Sequence, residues 1–227
     1  MQELNSKIEF KINPSVYKKD PLSSDLGINI VEQGIDQIVE LGFENFTFKK
    51  LAQRINSTEA SVYRYFESKH HLLSYLTQWY WNWLEYRIVI GTLNIPDPKI
   101  RLENAIKCLT EEIKEDQNFS RINEVKLHQI VITESSKVYM CKSVDENNAS
   151  GFYQVYKSLV QRVADIILEI SPKFKYPHML VSTIIEGAHH QRFFADHLPR
   201  LTDQIENEDA VTSFYIQLAN RQLRIEK

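Results

Sequence analysis

The chain has 227 residues, 43% of them hydrophobic and 25% charged, with a formal net charge of −3. That is an ordinary composition for a globular protein with ample material for a core, and it gives no general electrostatic reason to expect nucleic acid as a partner. Two cysteines, Cys108 and Cys141, imply no disulfide framework, and no apolar run approaches the roughly 20 residues that span a bilayer, so a soluble cytoplasmic protein is the expectation.

In chain order, residues 1–22 lack a clear period and carry Pro14 and Pro21, which reads as an irregular N-terminal arm. A first helix follows from about Ser24 to Leu41, with Ile30, Ile35, Ile38 and Leu41 on one broad face and Gly42 as its stop. Two short helices come next, at about Thr47–Ile55 and Thr58–Phe66. Each opens on a threonine suited to the N-cap, where a side-chain oxygen accepts from an orphan amide. Ser68 caps a long fourth helix reaching about Val89, with Leu72, Leu76, Trp79 or Tyr80, and Trp83 on one face.

Later helices are expected at about 98–115, 121–140, 150–170, 177–197 and 208–224. Asp97-Pro98 is an N-cap followed by proline at the first helical position, a strong start signal. The stretch 141–149, CKSVDENNA, reads as a loop. With 6 glycines, 7 prolines and no hairpin signal, the chain is assigned to the all-α class with about nine helices.

Local charge departs from the whole. Between Thr47 and His71, five basic side chains (Lys49, Lys50, Arg54, Arg64, Lys69) face two acidic ones (Glu59, Glu67), so this stretch is basic in an acidic protein. Two helices this short need tertiary packing to persist. Phe48, Leu51, Ala52, Ile55, Val62 and Phe66 supply a small shared core, leaving Lys49, Glu59, Ala60, Ser61, Tyr63, Arg64, Tyr65 and Lys69 directed elsewhere. A helix-turn-helix, whose second helix enters a major groove, has this arrangement, and so does a generic helical hairpin.

Further residues bear on the choice. GFENFTFKKLAQRINSTEASVYRYFESKHHLL resembles the DNA-binding segment of the TetR family of transcriptional repressors. The pattern stands here as Gly42-Phe43, Thr47, Leu51-Ala52 and the run Val62-Tyr63-Arg64-Tyr65-Phe66-Glu67-Ser68-Lys69, over about Ile28 to Leu76. Tyr65 replaces a usual histidine, Asn56 and Ala60 stand where glycine is common, and Glu59 where the family often has a polar or basic residue.

The resemblance implies a three-helix DNA-binding head at 23–67, joined to a ligand-binding and dimerisation bundle at 68–227. Tyr63, Tyr65 and Lys69 would reach phosphates, Thr47 and Lys49 would hold the opposite backbone, and Glu59, Ala60 and Ser61 would face base edges, with Arg64 a weaker member of the set. For each tyrosine the competing reading is simple packing. The fourth helix would connect head to body. A pocket for an apolar or aromatic effector would lie among helices four to seven, with Trp79, Trp83, His128, Glu134, Tyr139, Tyr153 and Tyr156 as candidate lining residues. The last two long helices look like the family's dimerisation pair, through Leu180, Ile184, Ala188 and Phe194 on one, and Val211, Phe214, Tyr215 and Leu218 on the other. Small Gly187 would permit close helix approach.

The implied function is a homodimeric repressor on a palindromic double-stranded operator, released by a small-molecule effector, with no cofactor, no metal and no enzymatic activity. A rival reading comes from Glu186 and His189, and again Glu67 and His70, which have the Glu-x-x-His spacing of metal-binding helical-bundle enzymes. No further mid-helix glutamates complete such a ligand set.

Overall fold

The computed structural model describes residues 10–114 and 122–224. They fold into eleven α-helices and three 3-10 turns, with no strand among the described residues. Packing divides the chain into two units: one draws on Met1–Asn82 and Ile113–Val155, the other on Trp83–Glu112 and Tyr156–Lys227. The first unit therefore takes in both the helix-turn-helix segment and part of what the sequence assigned to the ligand-binding body.

In the first unit, α1 (Asp25–Asn45) opens where Ser24 Oγ accepts from Gly27 N at 3.2 Å, and buries Ile30, Val31, Ile35, Ile38 and Phe43. Leu41, expected on that face, is exposed. Gly42 interrupts the helix at φ +72°, a left-handed conformation that glycine adopts without steric cost, so the final turn leaves in a new direction. The two short helices are α2 (Phe48–Arg54) and α3 (Glu59–Tyr63), capped by Thr47 and Thr58 as expected. Asn56 occupies the turn between them at φ +50°, a conformation asparagine tolerates better than most side chains. Of the expected shared core, Phe48, Leu51, Ala52, Val62 and Phe66 are buried and Ile55 is half-buried, and Phe46 joins them.

α4 (Lys69–Thr92) starts with Ser68 Oγ accepting from His71 N at 3.4 Å, and residues 72–81 are all buried. α6 (Glu124–Glu134) packs on α1, and α7 (Ser136–Tyr139) and α8 (Val144–Ala149) follow. α8 lies inside the stretch read as a loop. It buries no side chain, so it offers no apolar period; Asp145 and Glu146 in its first turn suit the positive end of a helix dipole. Expected helix residue 121 lies outside the described residues.

The described part of the N-terminal arm, from Phe10 onward, is a packed strap. Ile12, Val16 and Pro21 are buried, Asn13 N donates to Gln78 Oε1 at 3.0 Å, and Lys18 N donates to the Tyr65 carbonyl at 2.7 Å. Phe10 meets Trp79 edge-on at 5.2 Å, and Tyr17 meets Tyr75 at 6.1 Å. Hydrophobic period fails here because the strap's apolar contacts are spaced by 3-10 turns, not by a helix.

In the second unit, α5 (Pro98–Thr110) packs against α10 (Pro177–His197) and α11 (Ala210–Leu223), and α9 (Gln154–Ile170) buries Leu159, Val163, Ile166 and Ile167. α5 ends at Thr110, short of the expected 115, where Arg192 Nε donates to the Thr110 carbonyl at 2.9 Å. Arg192 also pairs with Asp209, the N-cap of α11, at 2.7 Å. One guanidinium on α10 thus ties together the end of α5 and the start of α11.

This packing takes up, within the chain, most of the side chains expected at a dimer face. Leu180, Ile184, Ala188, Val211 and Tyr215 are buried within the chain itself; Phe194 and Leu218 are half-buried, and Phe214 is 56% exposed. An apolar helical face has the same sequence signature whether its partner lies in the same chain or in another. Gly187 likewise serves an intrachain approach, since a Cβ there would stand 2.1 Å from the Tyr215 hydroxyl. Gly187→Ala is expected to destabilise the protein by about 1–3 kcal/mol through overpacking, read as a lower Tm, and Tyr215→Phe in the same chain should recover part of the loss. A wild-type Tm for Gly187→Ala would refute the close approach.

His189 is 4% exposed, and burial, assisted by the nearby His190 charge, lowers its pKa to about 4. A histidine held neutral in the fold and free to protonate when unfolded weakens stability as pH falls from about 6.5 to about 4, by up to about 3 kcal/mol. Urea unfolding across that range should show a shallower decline in His189→Gln than in wild type; parallel curves would contradict the assignment.

Candidate nucleic-acid interface

The capping threonines fix which residues of the short helices face out. Thr47 Oγ1 accepts from Lys50 N at 3.3 Å and Thr58 Oγ1 from Ser61 N at 3.2 Å, so both helices start at a defined residue and their apolar sides turn inward together. Lys49, Glu59, Ala60, Tyr63 and Arg64 are left exposed, with Ser61 half-exposed. Tyr63 is 44% exposed while its ring meets Phe48 edge-on at 5.1 Å. The ring braces α3 against α2 and the hydroxyl stays available. Thr47 is exposed and, although its oxygen caps α2, its own proton can still be donated. Arg64 Nη2 lies 3.3 Å from Ser61 Oγ, and Lys49 makes no hydrogen bond or ion pair among the described residues.

Two members of the expected set are placed differently. Tyr65 is only 3% exposed, with its hydroxyl 2.7 Å from Ser24 Oγ and 3.4 Å from Lys19 Nζ, so it joins the end of the α3 segment to the strap and to the start of α1. Lys69 turns back on the α1–α2 junction: Nζ donates to the carbonyls of Phe43 at 2.9 Å, Glu44 at 3.0 Å and Phe46 at 3.3 Å, and lies 4.7 Å from the Phe43 ring centroid. The kink at Gly42 exposes those carbonyls, and an ammonium with three donors satisfies them.

Sequence reading missed Lys50, exposed with Nζ donating to the Asn45 carbonyl at 2.8 Å, and the strap lysines Lys18 and Lys19 at Tyr65. The cluster of basic residues around 47–71 pointed to Lys50; no local signal pointed to the strap. Arg54, counted among the basic residues of this stretch, is engaged by Glu40 at 2.5 Å and Gln33 at 2.6 Å.

The candidate effector residues divide between the units. In the first, His128 Nδ1 lies 2.8 Å from the Tyr80 hydroxyl with the two rings stacked, Trp81 Nε1 donates to the Tyr139 hydroxyl at 3.2 Å, and the Tyr153 hydroxyl donates to the Val138 carbonyl at 2.8 Å. Trp79 faces the strap through Phe10. Glu134 Oε1 accepts from Phe43 N at 3.3 Å and its carboxylate pairs with Lys137, so it is tied to the end of α1. In the second unit, Trp83 lies under Arg87 at 4.9 Å, and the Tyr156 hydroxyl donates to Glu186 at 3.0 Å. Glu186 and His189 gain no companions: among the described residues, no three His, Cys, Asp or Glu side chains group as a metal site.

Comparison with known proteins bears on this geometry. Residues 30–76 match the model of bacterial regulatory proteins of the tetR family, N-terminal domain. No curated protein sequence matches the chain. Among solved structures, a tetR family transcription regulator assigned as such in Shewanella sp. PV-4 superposes with a TM-score of 0.60 at 17% identity, covering 84% of this chain and 94% of that one. The fatty acid degradation regulator FadR from Bacillus halodurans gives 0.59 at 14% identity, over 91% and 96%. AibR, solved with isovaleryl coenzyme A and operator DNA, gives 0.52 at 12% identity, over 85% and 95%. At these identities the structures establish a shared fold, and the matched segment runs from within α1 to the start of α4 and contains the capped helix pair. Over residues 30–76, in sequence, the chain is similar to the tetR family of bacterial regulatory proteins.

Proposed function

We propose that the protein is a homodimeric transcriptional repressor that binds a palindromic operator and is released by a small hydrophobic or aromatic effector. The observation that carries the reading is the outward face of α2 and α3. It is an exposed set of donors (Lys49, Tyr63, Arg64, Thr47) around short side chains (Ala60, Ser61) beside helices whose inward faces are packed. Phosphate contacts from the donors would set the register, while Glu59, Ala60 and Ser61 meet base edges, where an acid can accept from a cytosine amino group. In this reading 23–67 is the head and 68–227 the effector and dimerisation body.

A single head reads one half-site, so two copies are required, with heads about 34–36 Å apart or a related spacing. Effector release is supported by the ring cluster of Tyr80, Trp81, His128, Tyr139 and Tyr153 in the first unit, and by the likeness in fold to AibR, whose structure holds an acyl coenzyme A together with operator DNA. Linkage requires that effector and operator weaken each other by the same factor.

Two lysines separate the direct contacts from the scaffold. Lys49→Ala should weaken binding to all duplexes alike and flatten the dependence of log affinity on log salt by about one unit, with an unchanged Tm. Lys69→Ala should lower the Tm, because three carbonyls lose a charged donor in a partly buried site, an interaction worth on the order of 1.5–3 kcal/mol. Fluorescence anisotropy on operator and random duplexes at several salt concentrations, beside thermal melts, distinguishes them. Equal Tm values with equal slopes in both variants would overturn the division of roles.

A further inference from the structure

Where the strap crosses the end of α3 it brings cations with it. Lys18 N donates to the Tyr65 carbonyl at 2.7 Å, just past the last residue of α3, so the strap backbone is pinned at that helix end. The side chains of Lys18 and Lys19 are exposed. Lys19 Nζ stands 5.2 Å from the centroid of the buried Tyr65 ring and 3.4 Å from its hydroxyl. Arg64, the residue before Tyr65, is exposed as well. The bond to Ser24 first, and the Lys19 and Arg64 charges with it, hold the Tyr65 hydroxyl below the ordinary tyrosine pKa, so both cations lie near one oxygen.

Neither strap lysine is spent on an acid. Asp20 uses a carboxylate oxygen to cap Leu22 N at 2.9 Å, Glu67 is exposed, and no ion pair joins either of them to Lys18 or Lys19 among the described residues. The length of α3 gives these lysines a destination. Its 5 residues make about 7.5 Å of helix, whereas a B-DNA major groove is about 12 Å wide. An element fixed to the end of so short a helix lies over the wall of the groove, and that wall is phosphate.

We propose that Lys18 and Lys19 bind backbone phosphates beside each half-site, making the strap a third DNA-contacting element with α2 and α3. The assignment rests on the duplex-binding reading above and extends its contact set to residues 46 positions upstream of the motif's Tyr65. Phosphate contacts carry no base information, so the strap adds affinity and fixes orientation without choosing sequence. Lysine suits the task as a point charge on a flexible stem, and the bond at the Tyr65 carbonyl holds the root of that stem in register with α3.

The test uses two labelled duplexes, one enriched by the wild-type protein from a randomised pool and one of shuffled sequence. Fluorescence anisotropy over a salt series gives the slope of log affinity against log salt, with Tm measured beside it. Lys18→Gln/Lys19→Gln should flatten the slope by about two units on both duplexes at an unchanged Tm, since each phosphate contact contributes about 0.9. Lys18→Arg/Lys19→Arg, which keeps the charge, should retain the wild-type slope. Lys173→Gln/Lys175→Gln removes the same charge from exposed positions between α9 and α10 and should leave the slope unchanged. An unchanged slope in Lys18→Gln/Lys19→Gln beside a flattened one in Lys49→Ala would overturn the strap assignment alone. So would equal flattening in Lys173→Gln/Lys175→Gln, a loss on one duplex only, or a lowered Tm with the slope intact. No duplex binding by the wild type, or no flattening in any lysine variant, would overturn the DNA-binding reading with it.

Discussion

Ten consecutive residues of α4, 72–81, are buried, and this constrains everything packed around them. A surface helix hides one stripe and wets the other; a helix hidden all round must find a partner for every side, and each polar group it buries without a hydrogen bond costs free energy. Thr77 solves its part locally, donating to the Leu73 carbonyl at 2.8 Å. Gln78 accepts from the backbone of Asn13, so the strap is as much a polar complement to α4 as an apolar lid. The absence of a polar side also explains why this helix carries so many aromatic residues: they fill space in several directions at once.

The start of α4 solves a second problem. Turning the chain at Gly42 leaves the carbonyls of Phe43, Glu44 and Phe46 and the amide of Phe43 in need of partners. Lys69 supplies the donors and Glu134 the acceptor, and Lys137 pairs in turn with Glu134 and Glu44. Exposed ion pairs contribute little individually, but bonds from a charged side chain to backbone groups are stronger and fix direction. The junction thereby sets the angle at which α2 and α3 are presented, which is the property a helix-turn-helix needs. A residue that resembles a phosphate ligand in sequence acts here as internal scaffolding.

Much of this was legible from residues alone. Proline and glycine scarcity with 3.6-residue periods gave the all-α class, and Thr47, Thr58, Ser68 and Asp97 marked helix starts, because a capping oxygen acts on amides two or three residues away. The spacing of Phe48, Leu51, Ala52, Ile55, Val62 and Phe66 marked the inward side of the short helices, and by subtraction Lys49, Glu59, Ala60, Ser61, Tyr63, Arg64, Tyr65 and Lys69 as the outward one, of which Tyr65 is buried and Lys69 turned inward. α8, with no buried residue, left no period to read.

What tertiary structure decided is the destination of each side chain once its face was known. Tyr63 and Tyr65 are two residues apart in one motif, yet one is exposed and the other held by Ser24 and Lys19, because the strap approaches from a distance of more than 40 residues. Leu180, Ile184 and Tyr215 have the pattern of an interface, but α5, α10 and α11 consume them within the chain. Local propensity and period depend on neighbours within a turn or two, so sequence determines them directly. Which surface meets which depends on long-range packing, where an apolar side or a lysine has several chemically equivalent partners and only the folded chain selects among them.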